Sequence, residues 1–178
     1  MTQTETVRKK NAKFGGMTKA EQRIAIALDA IAWLKAGALI AQGSTYGYPV
    51  NRLRDPRNNG QARMDDQLRD VEMGPCRVCG LGALFLAKAV RFDDVTVRDW
   101  CSGSRGVYEK LSQHFSRTQI AMIEVAFEEN PCFSDLLSEA ERDRALFFWA
   151  TRGRPSDYKG RLIAILRNII QNGGEFRP

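Results

Sequence analysis

A single histidine, His114, stands among 178 residues. Any mechanism that uses imidazole as general base must therefore use this one side chain. It lies between Gln113 and Phe115 with no glycine-flanked serine nearby, so an ordinary helix-surface histidine is the plainer reading. Only four cysteines occur, Cys76, Cys79, Cys101 and Cys132. No apolar run approaches the ~18 residues of a membrane span, so no membrane partner is expected. The opening stretch MTQTETVRKKNAKFGG has no apolar core, so no secretory signal is expected and the thiols should stay reduced. Neither a P-loop nor a dinucleotide-type glycine pattern is present. No internal self-similarity at about 33–45 residues suggests a helical repeat array. No cofactor is expected. What is present is the balance of a folded domain, 43% hydrophobic and 27% charged residues, which excludes disorder throughout.

Charge is unevenly spread. The chain carries +6 overall, but residues 1–63 hold 11 Lys/Arg against 4 Asp/Glu, and residues 64–129 hold 8 against 11. A basic first third suits an anionic partner, either nucleic acid or an acidic protein face, and solubility alone accounts for it equally well.

Residues 1–16 read as a basic tail with Arg8, Lys9, Lys10 and Lys13, and 17–178 as one helical domain. Thr18 and Glu21 have capping-box spacing, and Gly37 stands at a C-terminal stop, which predicts a helix over 19–36. Its expected apolar stripe is Ile24, Ala27, Leu28, Ile31, Leu34 and Ala38. Residues 40–62 are rich in Gly, Pro and Asn and read as a long exposed loop; a short strand pair could hide in 38–50, but the alternation there is poor. A short helix is expected around Met64, Leu68 and Val71. The nearly all-apolar CRVCGLGALFLAKAV predicts a central helix over 76–90, where small residues let neighbours approach closely. Further helices should start at Ser104, at the box-spaced Ser116 and Gln119, at Ser138 and Glu141, and at Pro155-Ser156, the last running over 157–171. The predicted fold is a single all-α domain of six or seven helices. Leu81, Leu84, Phe85, Leu162, Ile165 and Ile169 are its expected core.

Cys76-Arg77-Val78-Cys79-Gly80 resembles half of a zinc knuckle, since two thiolates on a tight turn can share one tetrahedral ion. The other ligands would have to come from Cys101, Cys132 or His114, none of them in a second such pair, so metal binding is not favoured. A redox pair lacks the βαβ context, and two buried structural thiols are the favoured reading. Glu124 and Glu128 share a helix face and read as a solvated surface rather than as an acid/base pair. Two basic groups are more informative. Arg52, Arg54, Arg57 and Arg63 interleave with Tyr46 and Tyr48, which suits phosphate contact and stacking. Arg152, Arg154, Lys159 and Arg161 surround the start of the last helix, whose free amides could add an anion site. No helix-turn-helix or other named reader accompanies them. Trp33, Phe147 and Trp149 lie near or outside the main stripes, so a homodimer through an apolar face is open.

The blocks CRVCGLGALFLAKAV, FSRTQIAMIEVAFE and GRLIAILRNIIQNGGEFRP follow the capped helix AEQRIAIALDAIAWLKAG, in discontinuous pieces over 18–178. This layout resembles that of small accessory proteins of tailed phages and prophages. The resemblance implies no catalytic residues. It implies a non-enzymatic protein in the cytoplasm of a bacterial host that binds a host protein complex, defence enzymes included. Direct nucleic-acid binding is the alternative, and a zinc- or thiol-dependent protein the second alternative.

Overall fold

The computed structural model describes residues 16–43, 48–49, 75–92, 104–128, 134–152 and 157–178. The tail 1–15, most of the basic loop and the short helix expected near 64–71 lie outside them. The domain is all-α and compact. Its described elements are α1 (Lys19–Ala36), β1 (Leu39–Ala41), β2 (Tyr48–Pro49), β3 (Cys76–Val78), α2 (Gly80–Phe92), α3 (Ser104–Leu111), α4 (Arg117–Phe127), a 3-10 turn (Ser134–Leu136), α5 (Glu139–Thr151) and α6 (Tyr158–Gln171).

The capping signals act as their chemistry requires. The Thr18 hydroxyl accepts from Glu21 N while Glu21 Oε2 accepts from Thr18 N at 2.7 Å. Ser138 and Glu141 form the same reciprocal pair. Hydrogen bonds from Thr18 hold the Glu21 carboxyl below the usual carboxylate range, and bonds from Ser138 do the same for Glu141. These caps therefore support both helices fully above that range and weaken as acid protonates them. At Ser116 only half of the box forms. Its side chain accepts from Gln119 N, but Gln119 Oε1 is buried with no hydrogen bond. Gly37 ends α1 in the left-handed region, φ 76°. The last helix begins after Asp157 rather than at Pro155-Ser156.

The strand content departs from expectation. Cys76-Arg77-Val78 is not the start of the central helix. It is the middle strand of a small sheet ordered β1-β3-β2, parallel to β1 and antiparallel to β2. Its side chains alternate in, out, in, and Cys76 N donates to Ala38 O at 2.9 Å. The helix starts only at Gly80, where an added Cβ would lie 3.1 Å from the Phe127 ring. That close approach seats the start of α2 on the end of α4.

α2 lies at the centre, against α1, α3, α4, β1 and β3. Leu81, Leu84, Phe85, Leu162, Ile165 and Ile169 are all buried, as expected. The buried stripe of α1 is rotated from the expected one to Ala25, Ile26, Ala27, Ala30, Ile31 and Leu34, and Leu28 faces solvent. α1 is covered by α2, α6 and β1, so alanines serve at its close contacts. Opposite ends of α1 and α6 meet, which makes them antiparallel. Gly174, just after α6, touches the backbone of Ala20, while Tyr158 at the start of α6 reaches Gly43, just after β1. An Asp29–Arg91 fork, with Arg91 Nε donating to Oδ2 at 2.6 Å, fixes the end of α2 to α1.

Candidate functional site

The cysteine motif lies inside the domain. Cys76 faces inward from β3, and Cys79 precedes α2, where its Sγ accepts from Gly82 N at 3.4 Å. Both are buried, and neither forms a disulfide. Burial pushes the Cys79 thiol up to about 12; the Gly82 amide acts the other way, and the charges of Glu128 and Glu124 raise it further. A thiol held protonated at neutral pH is neither nucleophile nor ready metal ligand. Among the described residues no cluster of three His, Cys, Asp or Glu could hold a metal ion. Cys101 and Cys132 lie outside the described residues.

His114 is not on a helix. It occupies the turn between α3 and α4, its Nδ1 2.9 Å from Gln22 Oε1, and its carbonyl accepts from Arg23. Gln22 stands at the start of α1, whereas Cys76 pairs with Leu39 beyond the end of α1. The roughly 20 Å of intervening helix keeps imidazole and thiols apart. Labelling tests this arrangement: native protein at pH 8 should leave Cys76 and Cys79 unmodified by iodoacetamide, and denatured protein should lose both thiols, as read by peptide mass spectrometry. Rapid native alkylation of Cys79 would contradict the buried, protonated thiol.

Buried charge is the feature that sequence reasoning missed. Glu124 and Glu128 do not form a solvated face. Both are buried, as are Lys88 and Arg161, giving two charges of each sign inside the domain on α2, α4 and α6 and at their ends. A lysine inside a 15-residue apolar run was the available signal, as were two glutamates in the otherwise apolar IAMIEVAFE. Ionised groups enter an interior only in compensating sets. Arg161 illustrates how the set is held. Its Nη1 donates to Phe127 O at 3.0 Å, and its guanidinium lies 5.1 Å from the Trp149 ring centre and 5.7 Å from that of Tyr158. Burial pulls its pKa below the ordinary arginine value, while Tyr158, Asp157 and Glu128 act in the opposite direction. A Cβ added to Gly43 would lie 2.9 Å from the Tyr158 hydroxyl and 3.1 Å from Glu128 Oε2. The exit of β1, the end of α4 and the start of α6 therefore converge on one point.

This geometry sorts the basic candidates. Arg161 is an interior residue and offers nothing to a partner. Arg152, at the end of α5 with its guanidinium 5.6 Å from the Phe148 ring centre, and Lys159, on the first turn of α6, are exposed. The start of α6 is no open anion site, because the Asp157 carboxylate accepts from Gly160 N at 2.7 Å and puts a negative charge there. Tyr46, Arg52, Arg54, Arg57, Arg63 and Arg154 lie outside the described residues. Tyr48 is placed by its backbone on β2, paired with Arg77. Gly43 and Tyr158, more than a hundred residues apart in sequence, are thus neighbours in the fold. Of the three large residues named for a dimer, Trp33 and Trp149 are half-buried and only Phe147 stands out, at 69% exposure. No protein-family model, curated protein or solved structure matches the chain.

Proposed function

We propose that this chain is a non-enzymatic docking protein that captures a protein complex of a bacterial host through its basic end. The observation that supports the reading is the meeting of Gly43, Glu128 and Tyr158, with the exposed Lys159 next to Tyr158 on the first turn of α6. The buried Cys79, its thiol pushed up by burial, and the pairing of His114 with Gln22 weigh against the zinc- or thiol-dependent reading. The resemblance to phage accessory proteins supplies the partner class, a host complex such as a defence enzyme. Direct nucleic-acid binding is the weaker reading, since Asp157 occupies the helix terminus that would otherwise have served a phosphate.

The test is capture by tagged protein from bacterial lysate, with and without nuclease, read by mass spectrometry and by absorbance at 260 nm. A stoichiometric protein partner should survive nuclease. It should be lost with Arg52→Ala/Arg54→Ala/Arg57→Ala and weakened by Arg152→Ala/Lys159→Ala. Captured nucleic acid whose binding falls with salt at a log–log slope of about −0.9 per phosphate would overturn the docking reading.

A further inference from the structure

The turn after α6 carries the dipeptide Asn172-Gly173. Asparagine before glycine is open to imide formation, because no Cβ shields the backbone nitrogen that follows. Gly173 N gives up its proton and attacks Asn172 Cγ. The bond from Cγ to Nδ2 breaks, and the side-chain nitrogen leaves as ammonia with the proton. Water then opens the five-membered imide at either carbonyl. One route leaves aspartate. The other leaves isoaspartate, whose backbone runs through the former side chain and is one carbon longer. Gly173 is exposed, Asn172 is half-buried, and among the described residues nothing accepts from Gly173 N. The folded turn nonetheless keeps the reacting atoms apart. Ring closure needs Asn172 Cβ and Gly173 N eclipsed about the Cα–C bond. At the observed ψ of 31° they lie on nearly opposite sides of it. Asn172 Nδ2 also donates to Asn168 O at 2.8 Å, which turns the amide back along α6.

We propose that Asn172 is a site of one-way covalent modification, shut while residues 173–178 are docked and opened when they lift. The docked segment is what holds the unreactive ψ. Gly174 N donates to Ile169 O at 2.8 Å and Glu175 N to Asn172 O at 3.3 Å. Beyond the turn, the Asn168 side chain binds the Arg177 backbone through two bonds of 2.8 Å, and Phe176 is buried. Releasing these contacts frees rotation at Asn172 and brings Cγ within reach of Gly173 N. Reaction then opposes return. An isoaspartate adds a carbon to the backbone before the crossing at Gly173-Gly174, so the register that seats Phe176 is lost. Either product removes the donor to Asn168 O and puts a carboxylate at the negative end of the α6 dipole. The site does not depend on the role assigned to the basic end.

Incubation of the full chain at mildly alkaline pH, folded and in denaturing urea, tests this. Peptide mass spectrometry, with chromatographic separation of isoaspartyl from aspartyl products, follows Asn172 apart from the other such pair, Asn59-Gly60. Opening is fast beside ring closure, so the rate follows the open fraction, and folded protein should react at least about tenfold more slowly than protein in urea. Asn168→Ala removes the side-chain clamp and keeps the Asn168 carbonyl. It should raise the folded rate severalfold and leave the rate in urea unchanged, with a melting curve to show that the domain stays folded. The purified product provides a second readout: protein whose Asn172 has become isoaspartate should melt below the unmodified chain. Equal rates in folded protein and in urea would overturn the proposal, as would a folded rate indifferent to Asn168→Ala or a product that melts with the unmodified chain.

Discussion

Phe176→Ala should destabilise the domain by about 3–5 kcal/mol, the range for removing a fully buried phenylalanine. Phe176 is the third residue from the end of the chain, yet it is 1% exposed and meets the Phe148 ring edge-on, with centroids 5.2 Å apart. The backbone is shaped to bring it there. Gly173 and Gly174 both take positive φ, 63° and 89°, and turn the chain back after α6. A Cβ on Gly174 would also lie 2.6 Å from Ala20 O, so only glycine permits the crossing over α1. Asn168 then clamps the returning strand with two bonds of 2.8 Å, one to the carbonyl and one from the amide of Arg177. The terminal segment thus joins α1, α5 and α6. Against a total stability of about 5–15 kcal/mol for a domain, the loss is a third or more. Urea unfolding followed by circular dichroism measures it. Arg177→Ala is the control. Its side chain is 67% exposed and pairs only with the exposed Glu175, so stability should hardly change. A Phe176→Ala loss below about 1 kcal/mol would show that the tail is not docked in solution.

What could be read from the chain, and what could not, divides on the range of the forces involved. The ends of α1 were legible because a capping box and a left-handed glycine act within one turn. The core positions on α2 and α6 were legible because helical period and hydrophobicity coincide there. β3 was hidden for a different reason. Three residues at the head of an apolar run cannot be assigned a period of two against one of 3.6. Their pairing partners, Leu39–Ala41 and Tyr48–Pro49, lie more than twenty residues away. The buried charges were hidden in the same way. The partner of Arg161 is the carbonyl of Phe127, 34 positions earlier, and no local rule links them. Nor does any local rule link the exit of β1 to the start of α6, which meet at Gly43 and Tyr158.

Arg161→Ala should cost about 3–5 kcal/mol, because it breaks a buried charge set by removing one member. The Phe127 carbonyl would lose its donor, and the stack on Trp149 and Tyr158 would lose its cation. Glu128 would keep its buried charge with less compensation. Arg161→Lys should not rescue, since an ammonium keeps the charge but lacks the planar fork that faces the Trp149 and Tyr158 rings while donating to Phe127 O. Arg161→Met with Glu128→Leu is the informative pair. If the set is a closed ionic cluster, the double variant should be much closer to wild type than the two single losses added together. A coupling of about 0.5–3 kcal/mol in a double-mutant cycle is the expected signature. Strict additivity would mean that Glu128 and Arg161 act independently. The same cycle separates two roles for Arg161 that sequence alone confuses. A contact residue would lower partner capture in protein that remains folded, whereas an interior residue lowers the folded fraction and leaves the capture of each folded molecule intact. With Arg161 1% exposed, the second outcome is expected.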